Sequence, residues 1–200
     1  SHFPDIIVSD VMMPRMNGYE LCKTIKEDIA ISHIPVILLT AKDDKQSLIS
    51  GYKNGADGYL SKPFEVEMLM ELIRNRLKNR EYTKKRYLNA GLIPTPEEST
   101  ISLTDETFLI KLNSIIQKNI DNTNLGIQFI CQEVGLGRSS LYNKLKALTG
   151  MGANEYISKL RIEKAITLIS GTDMPFSEIA EKTGFTTPSY FSTTFKQYTG

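Results

Sequence analysis

Tryptophan is absent from this 200-residue chain, and histidine and cysteine occur only twice each. His2 and His33 have no ligand partner at useful spacing, so a zinc site is not expected. Cys22 and Cys131 fall in apolar helical patterns in different halves of the chain. They read as reduced core thiols rather than a disulfide, which suits a cytosolic compartment. No apolar run approaches the roughly eighteen residues of a membrane span. The first residues also lack a basic region followed by an apolar stretch, so neither a transmembrane helix nor a signal peptide is expected, and no membrane contact. Net charge is scarce as well: 24 Lys/Arg against 23 Asp/Glu leave +1. That balance speaks neither for nor against nucleic acid.

What is present is unevenly distributed. Residues 1–73 hold seven Lys/Arg against eleven Asp/Glu, residues 74–93 seven against one, and residues 94–200 ten against eleven. The basic cluster RNRLKNREYTKKRYL is read first as a solvated helix face, with phosphate contact as the alternative.

Residues 1–78 alternate strand and helix patterns. DIIVSD, IPVILLTA and GYLSKPF are short apolar runs, and Pro63 breaks the third. GYELCKTIKEDI and DKQSLISGYKNGA have helical character, the latter stopped by Gly55. EVEMLMELIRNRL is amphipathic, with Val66, Leu69, Leu72, Ile73 and Leu77 on one side. Apolar strands alternating with helices predict a parallel sheet covered on both faces. The functional crevice of such a sheet lies at the carboxyl ends of its strands. There Asp10 ends the first run, Thr40 ends the second and Lys62 ends the third. A carboxylate nucleophile, a hydroxyl and an ammonium at one edge suit acyl-phosphate chemistry, with Asp10 attacking phosphorus and Thr40 and Lys62 holding the phosphoryl oxygens.

The basic helix is expected to run to about Leu88. NAGLIPTPEESTISLTDE has the composition of a linker. TDET then supplies an N-cap with acids in the first turn, before FLIKLNSIIQKNI. Only helices are expected from there to Gly200.

The helical half contains an internal repeat. ICQEVGLGRSSLYNKLKALTG (130–150) aligns with IAEKTGFTTPSYFSTTFKQYTG (179–200). Ile130 matches Ile179, Cys131 matches Ala180 and Gly135 matches Gly184. After a one-residue insertion Leu141 matches Phe191, Leu145 matches Phe195 and Lys146 matches Lys196. Each copy reads as a helix, a glycine turn with φ > 0 and a second helix. Pro188 suits the first turn of the last helix, with Thr187 as its N-cap. This is helix-turn-helix grammar, in which the second helix enters the major groove by its N-terminal end.

On GRSSLYNKLKALTG, on ISKLRIEKAITLI with its Arg161 and Ala165, and on EIAEKTGFTTPSYFSTTFKQYTG, residues from about Thr107 to Gly200 closely resemble the AraC/XylS-type DNA-binding domain. The resemblance implies two recognition helices in successive major-groove segments of double-stranded DNA. Carried onto this sequence, base contacts fall on Ser139, Tyr142 and Asn143 in the first unit and on Pro188, Ser189 and Thr193 in the second. Arg138, Lys144, Lys146, Ser192 and Lys196 are expected to contact phosphates, which position without specifying. Leu141, Leu145, Phe191 and Phe195 are expected in the core. Members of the family often carry Arg where Asn143 and Thr193 stand, which removes two bidentate guanine readers. Asn143 can read adenine instead, and Thr193 a thymine methyl.

SDVMMPRMNGYEL, IPVILLTA and GADGYLSKPF, in this order and spacing, resemble the response-regulator receiver domain over residues 3–78. The resemblance implies phosphorylation of Asp10 by a histidine kinase, in cis or in trans. It implies Mg²⁺ held partly by Asp10 and the Met12 carbonyl, phosphate binding by Thr40 and the Ala41 backbone, and Tyr59 as an aromatic switch. It also implies a cis peptide at Lys62–Pro63. A complete receiver carries two further strands, a helix and an acidic pair before the strand that ends at Asp10. The chain is therefore expected to be a fragment that is not itself phosphorylated, binds no cofactor and dimerises through an exposed strand edge.

The expected architecture is α/β, an incomplete flavodoxin-like receiver with a parallel sheet, followed by an all-α double helix-turn-helix domain. Residues 1–79 form the partial receiver, 80–104 the basic helix extension and linker, and 105–200 the DNA-binding domain. The expected function is transcription regulation under receiver phosphorylation, within a cytoplasmic homodimer. The parent is either a hybrid sensor anchored in the inner membrane, carrying a histidine kinase module, or a stand-alone response regulator. A rival reading makes the receiver half a dimerisation platform only. An enzymatic output is disfavoured, because the helical half has no carboxylate pair, Ser/His or Cys/His arrangement, or phosphate-cradling glycine loop.

Overall fold

The computed structural model describes residues 3–41, 55–89 and 102–200. The second expected helix of the first half and most of the expected linker lie outside the described residues. The chain divides into two compact units, Ser1–Thr107 with Ala147–Gly150, and Phe108–Lys146 with Met151–Gly200. No helix among the described residues is long and apolar enough to cross a membrane.

Among the described residues, the first unit contains a three-stranded parallel sheet in the order β1 (Ile7–Asp10), β2 (Val36–Ala41), β3 (Gly58–Lys62). The central strand is buried from Val36 to Leu38, as a near-continuous apolar run requires. β1 lies at one margin and is only partly buried. Helix α1 (Gly18–Glu27) follows β1. Its start is specified locally: the Asn17 side chain accepts from Glu20 N at 2.9 Å while Glu20 Oε2 accepts from Asn17 N at 3.1 Å. This reciprocal cap satisfies two otherwise orphaned donors. Cys22 and Ile25 of α1 pack on Val11, Val36 and Leu38, with Tyr59 against the same cluster. Burial pushes the Cys22 thiol up to about 11, which keeps it protonated. Lys26 crosses from α1 to Asp57 Oδ2 at 2.7 Å, and that carboxylate also accepts from Val36 N at 2.7 Å.

Helix α2 (Val66–Asn89) contains most of the basic cluster as one 24-residue helix. The expected apolar side holds for Leu69, Leu72, Ile73 and Leu77, which are half-buried, but Val66 at its first position is 66% exposed. Arg80 is neither a solvated face nor a free phosphate ligand: it donates to the Asp5 carbonyl at 3.1 Å and lies 3.7 Å from the Asp5 carboxylate.

Among the described residues all further elements are helical: α3 (Leu103–Lys118), α4 (Ile127–Val134), α5 (Arg138–Thr149), α6 (Ala153–Gly171), α7 (Phe176–Lys182) and α8 (Pro188–Thr199). Helix α3 starts slightly earlier than TDET predicts, and the Ser102 hydroxyl accepts from Asp105 N at 3.2 Å. Phe108, Leu112, Ile116, Ile130, Leu141 and Leu145 are all fully buried. A second cluster joins Ile162 and Ala165 of α6 to Ile179, Ala180, Phe185 and Phe191, with Phe195 packed against it. Cys131 is half-buried where its repeat partner Ala180 is fully so.

Candidate functional site

The three strands deliver their terminal residues to one edge. Asp10 pairs with Leu39, Thr40 with Ser61 and Ala41 with Lys62. Lys62 Nζ reaches across to Asp10 Oδ2 in a direct ion pair, and Met12 N donates to Asp10 Oδ1 at 3.1 Å. The Lys62 hydrogen bond first, and the Met12 N–H second, hold the Asp10 carboxyl below its ordinary value of 3.8. The carboxylate is thus ionised at neutral pH, as a nucleophile must be. Thr40 is buried, its hydroxyl donating to the Ala41 carbonyl at 3.3 Å. Tyr59 lies on β3 beside Leu38, and the Lys62–Pro63 peptide bond is cis.

The segment after Asp10 is held tightly. Val11 N donates to Leu39 O and Gly18 N to Val11 O, each at 2.9 Å. Arg15 has φ 78, a left-handed conformation uncommon for a side-chain-bearing residue. A Cβ on Gly18 would overlap the Asp10 carbonyl oxygen, so α1 can approach the strand end this closely only with glycine there. The sequence pattern marked Gly18 as a helix start without this steric reason.

Mg²⁺ prefers near-octahedral oxygen coordination with one or two carboxylates. Asp10 and the Met12 carbonyl are two oxygen sources, and the Asp10 oxygens already accept from Lys62 and Met12. Among the described residues no group of three or more His, Cys, Asp or Glu could hold a metal ion. This donor set does not by itself fit the ion.

In the helical half each of the two repeats folds as a helix, a tight turn and a second helix. Gly135 and Gly184 have φ of 73° and 71°. That left-handed turn ends α4 and α7 alike and costs a non-glycine residue roughly 1 kcal/mol. Thr187 caps α8 by accepting from Tyr190 N at 3.2 Å, and Pro188 occupies the first turn. Leu141 and Phe191 point into the core, so the opposite faces of α5 and α8 are presented outward. On α5 these include Arg138, Ser139, Tyr142 and Lys146, with Asn143 half-buried. On α8 they are Pro188, Ser189, Ser192, Thr193 and Lys196. Ser192 and Thr193 each donate to a carbonyl one turn back, at 2.9 and 3.0 Å, leaving their oxygens as acceptors.

Lys144 departs from the expected phosphate contact. It is 0% exposed and its Nζ lies 5.1 Å from the Phe108 ring centroid, so it is not a phosphate contact. The reason is helical spacing. Leu141, Lys144, Leu145 and Leu148 form one inward stripe, and the repeat partner of Lys144, Thr194, is buried too. The repeat contained this signal; the positive charge obscured it. An ammonium over an aromatic face is a favourable way to bury that charge.

Arg161 has a role that its apolar helical context does not announce. It lies on α6 between the two repeats, and its Nε donates to Ile120 O at 3.2 Å and its Nη2 to Asn122 O at 2.7 Å.

A model of the response regulator receiver domain matches residues 1–74, and a model of a helix-turn-helix domain matches residues 130–200. The probable transcriptional regulator ycf29 of Pyropia yezoensis is 32% identical over 162 residues, covering 76% of this chain and 73% of that protein. The chain belongs to the response regulators. This response regulator is also 42% identical over 196 residues to Histidine kinase P4 of Formosa agariphila, covering 98% of the chain but only 14% of that much longer protein. Among solved structures, the C-terminal domain of AraT, a response regulator from Geobacillus stearothermophilus, is 29% identical with a TM-score of 0.45, covering 51% of this chain and 81% of that one.

Proposed function

We propose that this chain is the output part of a two-component system: in the full-length parent its receiver half is switched by a phosphoryl group on Asp10, and its helical half reads double-stranded DNA with α5 and α8. The observation that carries the reading is the duplicated helix-turn-helix, whose two second helices bury their apolar stripe and present their other faces outward. The segments act as a receiver over 1–79, a connection over 80–104 and a DNA-binding domain over 105–200. Ser139, Tyr142, Asn143, Pro188, Ser189 and Thr193 read bases, while Arg138, Lys146, Ser192 and Lys196 set register on phosphates.

At the sheet edge an ionised Asp10 oxygen attacks the phosphorus of a phosphohistidine, and the phosphorus–nitrogen bond breaks toward the donor imidazole. Thr40, the Ala41 N–H and Lys62 then stabilise the phosphoryl oxygens. Lys62 must exchange a carboxylate oxygen for a phosphoryl oxygen, which loosens its present tie between β1 and β3. Tyr59 within β3 and α2 after it transmit the change to receiver pairing, which sets the spacing of two DNA-binding domains in a homodimer. The extended match to a histidine kinase supports a hybrid parent, with kinase, receiver and DNA-binding domain in one polypeptide.

The test is selection from a random duplex pool by the purified chain, followed by binding of the enriched duplex against a scrambled one. A preference of at least ~10³-fold at physiological salt is expected of a specific reader. Equal affinity for the two duplexes would remove the reading. In the full-length parent, Asp10→Ala should abolish phosphoryl incorporation from the kinase.

A further inference from the structure

Arg161 is 8% exposed, and its guanidinium sits where three chain segments meet. Its Nε and Nη2 donate to Ile120 O and Asn122 O, carbonyls in the turn between α3 and α4 that leads into the first helix-turn-helix unit. Carbonyls just beyond a helix end are orphaned acceptors with partial negative charge, which a cation satisfies. On its other side Arg161 lies 5.9 Å from the ring centroid of Phe185, in the turn of the second unit. The neighbouring turn residue Gly184 is pressed so close that a Cβ there would overlap the Ile120 carbonyl oxygen and lie 2.8 Å from Arg161 Nη2. One planar, five-donor group thus ties the entry of the first unit to the turn of the second, from the helix that separates them. The counterpart Gly135, in the turn of the first unit, has nothing within 4 Å of a Cβ. The junction therefore belongs to the relation between the units and not to the helix-turn-helix as such.

We propose that Arg161 is a positioning residue for DNA reading: it locks the two helix-turn-helix units in one mutual orientation, so that α5 and α8 meet two half-sites at one fixed spacing. The proposal rests on the DNA reading above. A lock of this kind converts the second half-site into an intramolecular binding event with a high effective concentration. Without the lock each unit still folds and still binds its half-site, but the spacing is no longer enforced. Lysine is a poor replacement, because one ammonium cannot reproduce the two-point fork or the stacking of a guanidinium.

The experiment uses the full chain and three fluorescent duplexes: the one enriched from a random pool, the same duplex with one half-site scrambled, and the same duplex with about 5 bp, half a helical turn, inserted between half-sites. The wild type is expected to lose ~10-fold or more on the insertion and on the scrambling. Arg161→Gln is expected to bind the scrambled duplex within about twofold of wild type, yet to lose less than about threefold on the insertion. Arg161→Lys should fall between the two. Retention of the full insertion penalty by Arg161→Gln would overturn the proposal. So would an equal fractional loss on all three duplexes, the mark of reduced folded protein and nothing more. If Arg161→Gln is unfolded by circular dichroism, Arg161→Lys decides: an unchanged insertion penalty overturns the lock. A wild type that prefers no duplex would sink the DNA reading itself, a distinguishable outcome that removes this proposal with it.

Discussion

The two helix-turn-helix units share a repeat but not an environment. Their turn glycines have nearly the same φ, 73° and 71°, yet Gly135 borders open space and Gly184 is wedged against Ile120 and Arg161. In the first unit the buried Leu141, Leu145 and Ile130 are aliphatic, and Lys144 of α5 contacts the Phe108 ring. The second is aromatic: Phe176, Phe185, Phe191 and Phe195 lie with ring centroids 4.5 to 5.8 Å apart. Repetition in sequence therefore specifies the local motif. The burden of holding the domain together falls on whichever copy the rest of the chain packs against.

The glycine pair is the sharpest way to break this comparison. Gly135→Ala should cost about 1 kcal/mol, the strain of a left-handed residue alone. Gly184→Ala adds overlap with a backbone carbonyl, for a total of about 3 kcal/mol. Urea denaturation of the two variants measures the difference; equal midpoints would mean that the two turns are energetically equivalent after all.

The reading helices should differ as well. Asn143 on α5 can make two hydrogen bonds to one adenine edge, so Asn143→Ala should cost about 1–3 kcal/mol and relax specificity at one base pair. Thr193 on α8 offers a methyl and one hydroxyl already bonded to Ser189 O at 3.0 Å, so Thr193→Ala should cost less than Asn143→Ala. Binding to a panel of single-base variants of the enriched duplex ranks the two.

A third contrast lies between neighbouring lysines of α5. Lys146→Ala should weaken all duplexes alike and reduce the salt slope by about one. Lys144→Met, of similar length and packed under Phe108, should leave the salt slope unchanged, because that ammonium never meets solvent. Affinities across a salt series separate the two.

The receiver edge gives the smallest effect and an outside standard. Its chemistry is held by single residues rather than by a repeat. Asp10, with its carboxyl below 3.8 through Lys62 and then Met12, should stay ionised as pH falls past the ordinary carboxylate value. Because the shift is downward, whatever stability the pair contributes is present above 3.8 and is lost as pH falls through the lowered value. Lys62→Ala should return Asp10 toward 3.8, followed by carboxyl chemical shifts against pH; an unmoved titration would show that Lys62 does not hold the carboxylate.

Much of this was legible in the residues. A parallel sheet carrying Asp10, Thr40 and Lys62 at one edge follows from apolar runs punctuated by polar residues, with β2 running one residue past Thr40, and both turns follow from glycine placement within the repeat. The surroundings of side chains were not legible. Lys144 carries a charge that argues for solvent, but its position three residues after Leu141 puts it inside. Arg161 was marked only by resemblance, because its partners are backbone carbonyls 39 and 41 residues away, which leave no side-chain signature. The same applies to Gly184, whose demand comes from the Ile120 carbonyl and not from its own turn.

The central claim, two reading heads acting on one duplex, is tested most directly by hydroxyl-radical footprinting of the enriched duplex. Two protected segments on one face, centred about 10 bp apart, are predicted, with Asn143→Ala weakening one and Thr193→Ala the other. A single protected segment, weakened by Asn143→Ala and indifferent to every change on α8, would contradict it.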